Sequence, residues 1–379
     1  MDFSLNEDQR AIQDMARNFT ADMITPNAHI WDEDKVWPAD VAKAAGELGF
    51  GSIYVSEEAG GCGLSRVESV LIFEQLSMGC PSTAAMISIH NMATWMIDCF
   101  GTQDQRGRFV GELATLEKMA SYCLTEPGAG SDAASLKTRA VRDGDEYVLN
   151  GSKAFISGGG ESDVYVVMAR TSDDGAKGIS CFIVEKDTPG LSFGAQEKKM
   201  GWHSQPTAAV MFDDCRIPAA NLVGEEGQGF KIAMQGLDGG RLNIAACSLG
   251  GAQRALDEAV TYTKDRKQFG KAIADFQATQ FRLADMATEL EAARLLLYAA
   301  AQKVSNKTPD AAAAAAMAKR FVTDVGFDVT NAALQLHGGY GYLQDYPIER
   351  ILRDLRVHQI LEGTNEIMRV VISRALLKD

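Results

Sequence analysis

What the 379-residue chain lacks narrows its function before any motif is considered. No apolar run approaches the ~18 residues that a membrane-spanning helix needs. The seven cysteines (62, 80, 99, 123, 181, 215, 247) are odd in number and include no CxxC pair. The five histidines are scattered, so no metal-ligand spacing appears. Such cysteines suit reduced, mostly buried thiols in a reducing compartment. Positive charge is in deficit, with 37 Lys and Arg against 51 Asp and Glu, a net charge of −14. That balance excludes a nucleic-acid partner, because nothing neutralises a run of phosphates, but it leaves room for a local basic pocket holding one nucleotide. The N-terminal stretch MDFSLNEDQRAIQDMARNF has neither a basic leader with an apolar run nor an Arg-rich transit pattern. The expected location is therefore the bacterial cytoplasm, or the mitochondrial matrix for a trimmed eukaryotic form.

What is present describes an ordinary folded protein, 46% hydrophobic and 23% charged, with length for about two to three domains. Three blocks follow one another. Residues 1–118 read as helical, with Pro38, Gly51 and Gly60-Gly61 punctuating amphipathic runs. Met86, Ile89, Met92, Trp95 and Met96 recur at helical spacing and predict one buried face. Residues 119–225 change to strand-like runs at 164–169, 179–184 and 208–212. Asp143-Gly144 and Asn150-Gly151 are hairpin signals around Tyr147-Val148-Leu149. This block is expected to be an antiparallel β domain, barrel or sandwich. Residues 226–379 return to long helices, predicted at about 226–265, 277–305, 309–336, 346–360 and 365–377. The fold class is thus α+β, with an N-terminal helical domain, a central antiparallel β domain and a C-terminal domain of four-helix-bundle type.

Five segments carry candidate chemistry. Glu362 lies in QILEGTNEIMR (Gln359 to Arg369), a lone acid followed by Gly363, which lets the backbone turn tightly and a ligand come close. Thr364 is placed to cap a closing helix bearing Ile367, Val370, Val371 and Ala375 at helical spacing. A helix N-terminus attracts anions, so a general base would stand beside an anion seat. An interhelical loop with a solvated Glu fits the same letters. In YCLTEPGAGSD (Tyr122 to Asp132), Pro127, Gly128 and Gly130 force a loop whose N–H groups, with the Thr125 and Ser131 hydroxyls, suit a polar cofactor edge. A domain-entry turn suits it equally, and neither a P-loop lysine nor GxGxxG is present. In SKAFISGG (Ser152 to Gly159), Phe155 and Ser157 alternate with Ile156, which on a regular strand places both on one side. An aromatic face beside a hydroxyl can stack a planar ring, and a half-buried β face explains the alternation as well. Finally, DRKQFGKAIADFQ (Asp265 to Gln277) and QLHGGYGY (Gln335 to Tyr342) offer Arg266 for a phosphate and Gln277 and Gln335 for adenine or pyrophosphate. A solvated charge run and a glycine helix stop are their plainer readings. His337 is expected to be a structural imidazole, and His29, His90, His203 and His358 are assigned no role.

Taken together, in this order and spacing, these segments resemble the acyl-CoA dehydrogenase family of flavoenzymes over nearly the entire chain. The resemblance implies FAD as cofactor. It places Tyr122, Cys123, Leu124, Thr125, Glu126, Pro127, Gly128, Ala129, Gly130 and Ser131 along the flavin, Ser131 also near the acyl-CoA. Phe155, Ile156 and Ser157 would cover the far flavin face. Arg266, Phe276, Gln277, Gln335, Leu336, His337, Gly338 and Gly339 would bind FAD, several of them from a neighbouring subunit, which implies a homotetramer built as a dimer of dimers. Thr364, Asn365 and Glu366 would touch the adenosine diphosphate part. Asp238, Gly239, Gly240, Arg241 and Arg374 would lie along the CoA ester.

Glu362 would be the catalytic base. Some relatives place that Glu at the position here occupied by Gly240, which cannot ionise, so Glu362 is the acid that remains. The implied reaction removes the α-proton of a short branched acyl-CoA to Glu362 and its β-hydride to the flavin, giving a 2,3-enoyl-CoA. Segments such as ISIHNMATWMIDCFG and GGRLNIAACSLG favour isobutyryl-CoA, before 2-methylbutyryl-CoA or butyryl-CoA. Electron-transferring flavoprotein is the implied electron acceptor. An acyl-CoA oxidase of this fold would be longer, and a non-catalytic CoA-binding relative would not need Glu362.

Overall fold

The computed structural model describes residues 4–378. Six helices open the chain: α1 (Glu7–Phe19), α2 (Ala28–Asp34), α3 (Ala39–Glu47), α4 (Arg66–Gly79), α5 (Pro81–Phe100) and α6 (Gln103–Ala114). Their starts are set locally. Asn6, Ser65 and Thr102 each close a capping box with the residue three positions on, Gln9, Glu68 and Gln105. Pro81 opens α5, where its missing N–H costs nothing. The methionine stripe of α5 is buried as predicted, but Thr83, Ala84, Ile87, Ser88, His90 and Asn91 are buried too. The expected single face is therefore too narrow: α5 is enclosed by helices on one side and the sheet on another.

The middle of the chain forms β1 (Ala120–Cys123), β2 (Arg139–Asp143), β3 (Glu146–Ser157), β4 (Val164–Arg170), β5 (Ile179–Glu185), β6 (Leu191–Phe193), β7 (Thr207–Pro218) and β8 (Leu222–Val223). The order is β6-β7-β3-β2-β4-β5-β8, with β1 also on β4. Most ladders are antiparallel, but β1–β4 and the single β2–β4 pair are parallel, which makes the sheet mixed. Gly144 turns the β2–β3 hairpin with φ 65°. Asn150-Gly151 forms no hairpin. It is a bulge inside β3, where the register shifts between Leu149 and Gly151 and a Cβ on residue 151 would strike Thr138. Strands β4 and β5 are buried on both faces. Tyr165, Val167, Phe182 and Val184 fill a core within the β block, while Val164, Val166, Cys181 and Ile183 pack toward the helices.

The long α7 (Gly229–Asp265) follows, then a hairpin of β9 (Lys267–Gln268) and β10 (Lys271–Ala272), then α8 (Gln277–Ser305), α9 (Ala311–His337), α10 (Ile348–Arg356) and α11 (Asn365–Leu376). Helix α7 is almost wholly buried from Gly239 to Ala252, packed by α4, α5, α8 and α9. Its small residues permit this closeness. A Cβ at Gly250 would lie 2.0 Å from the Glu74 carbonyl oxygen of α4, and one at Gly236 would lie 1.9 Å from Met96 Cε of α5. The same helix carries Asp238 to Arg241 near one end and delivers Arg266 at the other.

Candidate active site

Glu362 sits in the reversal between α10 and α11 with φ 56°, followed by Gly363 with φ 87°. A left-handed Glu is unfavourable for an L-residue, so neighbouring groups must hold it. Arg241 Nε donates to the Glu362 carbonyl at 3.3 Å while its Nη1 reaches Asp238 Oδ1 at 2.7 Å. Lys319, fully buried on α9, donates to the Gly363 carbonyl at 2.8 Å and to Asn365 Oδ1 at 2.9 Å. Thr364 caps α11 as expected, its hydroxyl accepting from Ile367 N at 3.3 Å.

The carboxylate itself is left unpaired. Glu362 Oε2 is out of solvent and has no hydrogen-bond partner. It presses on Gly240, where a Cβ would stand 2.6 Å from Oε2 and 2.9 Å from Met92 Sδ. Burial pushes the carboxyl up to about 7, against the lowering pull of Arg241 and Lys319. The two cations thus fix the backbone of the turn and moderate the acid without pairing with it.

Other polar groups act on the carboxylate. Tyr122 aims an unpartnered hydroxyl into the same region, and its proton is held well above the phenol range by burial and then by the Glu362 charge. Tyr54, bonded by Asn243 Nδ2 at 3.0 Å, is raised mainly by burial and also feels Glu362. Arg66 stands over the Tyr54 ring, 3.4 Å from its centroid. Sequence reasoning missed Tyr54, Arg66 and Lys319. For Lys319 a signal existed, because Ala315, Lys319, Val322 and Gly326 share a buried helical face on which a lysine is out of place.

In the loop after β1, Pro127, Gly128, Gly130 and Ser131 are exposed, and Tyr122 and Thr125 are half-buried. Leu124 and Ala129 pack toward the helices, whereas Cys123 points into the β core, where burial pushes its thiol up to about 12. Glu126 needs correction as a cofactor-facing side chain. Its carboxylate is spent on Lys153 Nζ at 2.7 Å and on the N–H groups of Lys137 and Thr138. The alternation in β3 is broken as well. A bulge between Lys153 and Ile156 gives Phe155 a φ of 58° and leaves it 67% exposed, while Ile156 enters the β core. Ser157 Oγ accepts from Gln205 Nε2 at 2.5 Å, a contact the sequence gave no sign of.

The remaining residues gather elsewhere. Arg266, Gln335, Leu336, His337, Gly338 and Gly339 line one cavity of about 460 Å³. His337 is buried, donates Nδ1 to the Ala333 carbonyl at 2.8 Å and stacks on Tyr262 at 4.4 Å, but its buried Nε2 has no partner, so the imidazole is not fully satisfied within the chain. Phe276 and Gln277 open α8, with Phe276 edge-on to the 94%-exposed Phe269. Along α7 this cluster is 26 residues from Gly240, roughly 39 Å at helical rise. One chain therefore does not bring Arg266 to Glu362. On α11, Glu366 and Arg374 are exposed. Asn365 is buried with its amide shared among Lys319, Thr323 and Asp324, so its side chain joins α11 to α9 and is not free for a ligand.

The residues around Glu362 and along the loop fit a flavin and an acyl thioester. At Gly128, Gly130 and Gly339 an added Cβ meets nothing within 4 Å and no left-handed φ is recorded, so neither packing nor backbone accounts for these glycines. That open space leaves room for a group from outside the chain to approach the backbone. The unpartnered Tyr122 hydroxyl and Glu362 Oε2 point to the same conclusion.

Comparison with known proteins agrees with this geometry. The N-terminal, middle and C-terminal domain models of acyl-CoA dehydrogenase match residues 6–117, 121–215 and 227–377. Mitochondrial isobutyryl-CoA dehydrogenases of Dictyostelium discoideum and Bos taurus are 57% and 56% identical over 99% of this chain and 90% of their own length. Butyryl-CoA dehydrogenase of Megasphaera elsdenii superposes with a TM-score of 0.97 at 41% identity, covering 100% of both chains. A chain in the structure of the electron transferring flavoprotein of Acidaminococcus fermentans gives 0.98 at 47% identity, again over 100% of both. The chain belongs to the acyl-CoA dehydrogenase family of FAD-dependent oxidoreductases.

Proposed function

We propose that the protein oxidises a short branched acyl-CoA, first of all isobutyryl-CoA to methacrylyl-CoA as a step of valine breakdown, with Glu362 removing the α-proton. The 56–57% identity to two isobutyryl-CoA dehydrogenases supports this substrate ahead of butyryl-CoA or 2-methylbutyryl-CoA. The observation that carries the chemistry is the half-buried Glu362, whose Oε2 is out of solvent and unpartnered and whose carboxyl is raised to about 7 by burial. A carboxylate at its usual value of about 4.3 is a poor base for a hydrogen next to a thioester carbonyl. Exclusion from water lifts its proton affinity toward working pH, where base strength and ionised fraction are best matched. Arg241 and Lys319 hold the backbone of the turn, so the carboxylate is presented from a fixed point.

When bound, FAD supplies the hydride acceptor that no side chain of the chain offers. Tyr122 to Ser131 and Phe155 to Ser157 would hold it beside Glu362, with Thr364 to Glu366 toward its diphosphate. Asp238, Arg241 and Arg374 would lie along the CoA. Arg266, Phe276, Gln277 and Gln335 to Gly339, roughly 39 Å away on the same chain, would serve the site of a second copy. That division supports an assembly of at least two copies, here proposed as a homotetramer built as a dimer of dimers, of chains divided as 1–118, 119–225 and 226–379. The likeness to the Acidaminococcus fermentans chain supports electron-transferring flavoprotein as acceptor. Two mitochondrial relatives support a matrix location for a eukaryotic form.

The test is optical. The purified protein should be yellow and should bleach anaerobically with isobutyryl-CoA, faster than with butyryl-CoA. Glu362→Gln should keep the colour and lose the bleaching; rapid bleaching of that variant removes Glu362 as base. Sedimentation of the yellow protein should give a tetramer, and a flavin-loaded monomer would refute the shared site.

A further inference from the structure

Arg66, the first residue of α4, is 8% exposed, and among the described residues its side chain has no carboxylate partner. Its guanidinium carbon stands 3.4 Å from the Tyr54 ring centroid and 5.2 Å from that of Trp95. Its Nη1 is out of solvent without a hydrogen-bond partner. Leaving a charged donor buried and unpaired is costly, and that cost grows if an apolar group is packed against it.

The fork lies across α7 one residue from the base. A Cβ at Gly239 would stand 2.4 Å from Arg66 Nη1 and 2.6 Å from Cζ, just as one at Gly240 would stand 2.6 Å from Glu362 Oε2. Neighbouring Cα atoms are about 3.8 Å apart, so guanidinium and carboxylate are within roughly 12 Å of each other. Tyr54, 8% exposed, lies between them, contacting Arg66 and feeling the Glu362 charge.

If the acyl thioester is presented to Glu362, as proposed above, its CoA half must run out to solvent because it is long and charged. The enclosed end, where Arg66 and Tyr54 stand, then faces the acyl group. We infer that Arg66 is a specificity-determining residue whose guanidinium, with Nη1 buried and unpartnered, ends the acyl site and restricts it to short chains. A methylene offers no acceptor. A chain long enough to reach Nη1 strips it of any water or pushes the guanidinium off the Tyr54 face, whereas a four-carbon acyl group stops short and leaves both intact. In a wholly apolar pocket an added methylene is gained, with discrimination of about 10–200-fold. Here the cation reverses that preference.

The experiment compares kcat/KM for isobutyryl-, butyryl- and hexanoyl-CoA in the flavin-loaded wild type, Arg66→Met and Gly239→Ala. Arg66→Met should raise the hexanoyl-to-isobutyryl ratio at least tenfold. Gly239→Ala, whose methyl displaces the fork away from α7 and into the site, should lower it. A purely structural Arg66 would depress all three substrates together, so a ratio within twofold of wild type in either flavin-loaded variant overturns the inference. Gly239→Ala keeps it testable if Arg66→Met fails to fold. A wild type that no acyl-CoA bleaches would instead refute the proposed function, and this inference with it.

Discussion

Glu362→Gln should separate stability from activity along the pH axis. The carboxyl rises from an ordinary 4.5 to about 7 in the folded chain because burial disfavours its ionised form. A carboxyl raised on folding favours the native state most when protonated, below its unfolded value, and that contribution is lost as pH climbs through 4.5 toward 7. Linkage gives a cost of about 1 kcal/mol at pH 5 and about 3 kcal/mol at pH 8. Glutamine is nearly isosteric and does not titrate, so the variant escapes this cost. Urea unfolding of the flavin-free chain, at one protein concentration between pH 5 and pH 8, should show the variant gaining about 2 kcal/mol on the wild type. Activity should move the opposite way. The ionised form is the base, so wild-type substrate-driven bleaching should rise through pH 7 and fall about tenfold per unit in acid. Parallel stability curves for the two proteins would refute the buried-acid argument.

Two further substitutions probe how the carboxylate is held. Gly240→Ala places a methyl against Glu362 Oε2 and Met92 Sδ, atoms of side chains that can shift, with no backbone atom in the way. Steady-state assay should show at least a tenfold loss of kcat while the melting temperature stays close to wild type; by contrast Gly250→Ala, which meets the Glu74 backbone at 2.0 Å, should destabilise by about 1–3 kcal/mol. Lys319→Met removes a charge that lowers the Glu362 value, so the acid limb of the rate profile should shift to higher pH. It also strands the Gly363 carbonyl, at about 1–3 kcal/mol, and leaves Asn365 Oδ1 with Thr323 Oγ1 as donor.

Local rules carried much of the fold. The α8 boundaries at Gln277 and Ser305, the Thr364 cap and the strands beginning at Val164 and Ile179 all follow from spacing and caps visible in the letters. The failures share one cause, which is distance along the chain. Asn150-Gly151 has hairpin chemistry, yet Thr138 and β7 take it into a bulge instead of a turn. The parallel β1–β4 pairing joins strands some forty residues apart, and no local pattern encodes it. At the site, Glu362 and its glycine were legible because they adjoin. The groups that condition it arrive from far away, Arg241 from 121 positions off and Tyr54 through Asn243, 189 positions from it. The side chains of Glu126 and Asn365 are tied up inside the chain, which leaves their backbone to face a ligand, because a side chain's direction depends on partners that a linear reading does not supply.

Helix α7 spans 37 residues and is gripped by other helices through most of its length. Insertion or deletion of one residue between Gly240 and Arg266 would slide one end by about 1.5 Å and swing it by about 100°. Every ridge beyond the lesion would then face the wrong groove. The count of residues in this rod is consequently less negotiable than their identity, and natural variants should alter its solvent-side letters freely while keeping its length.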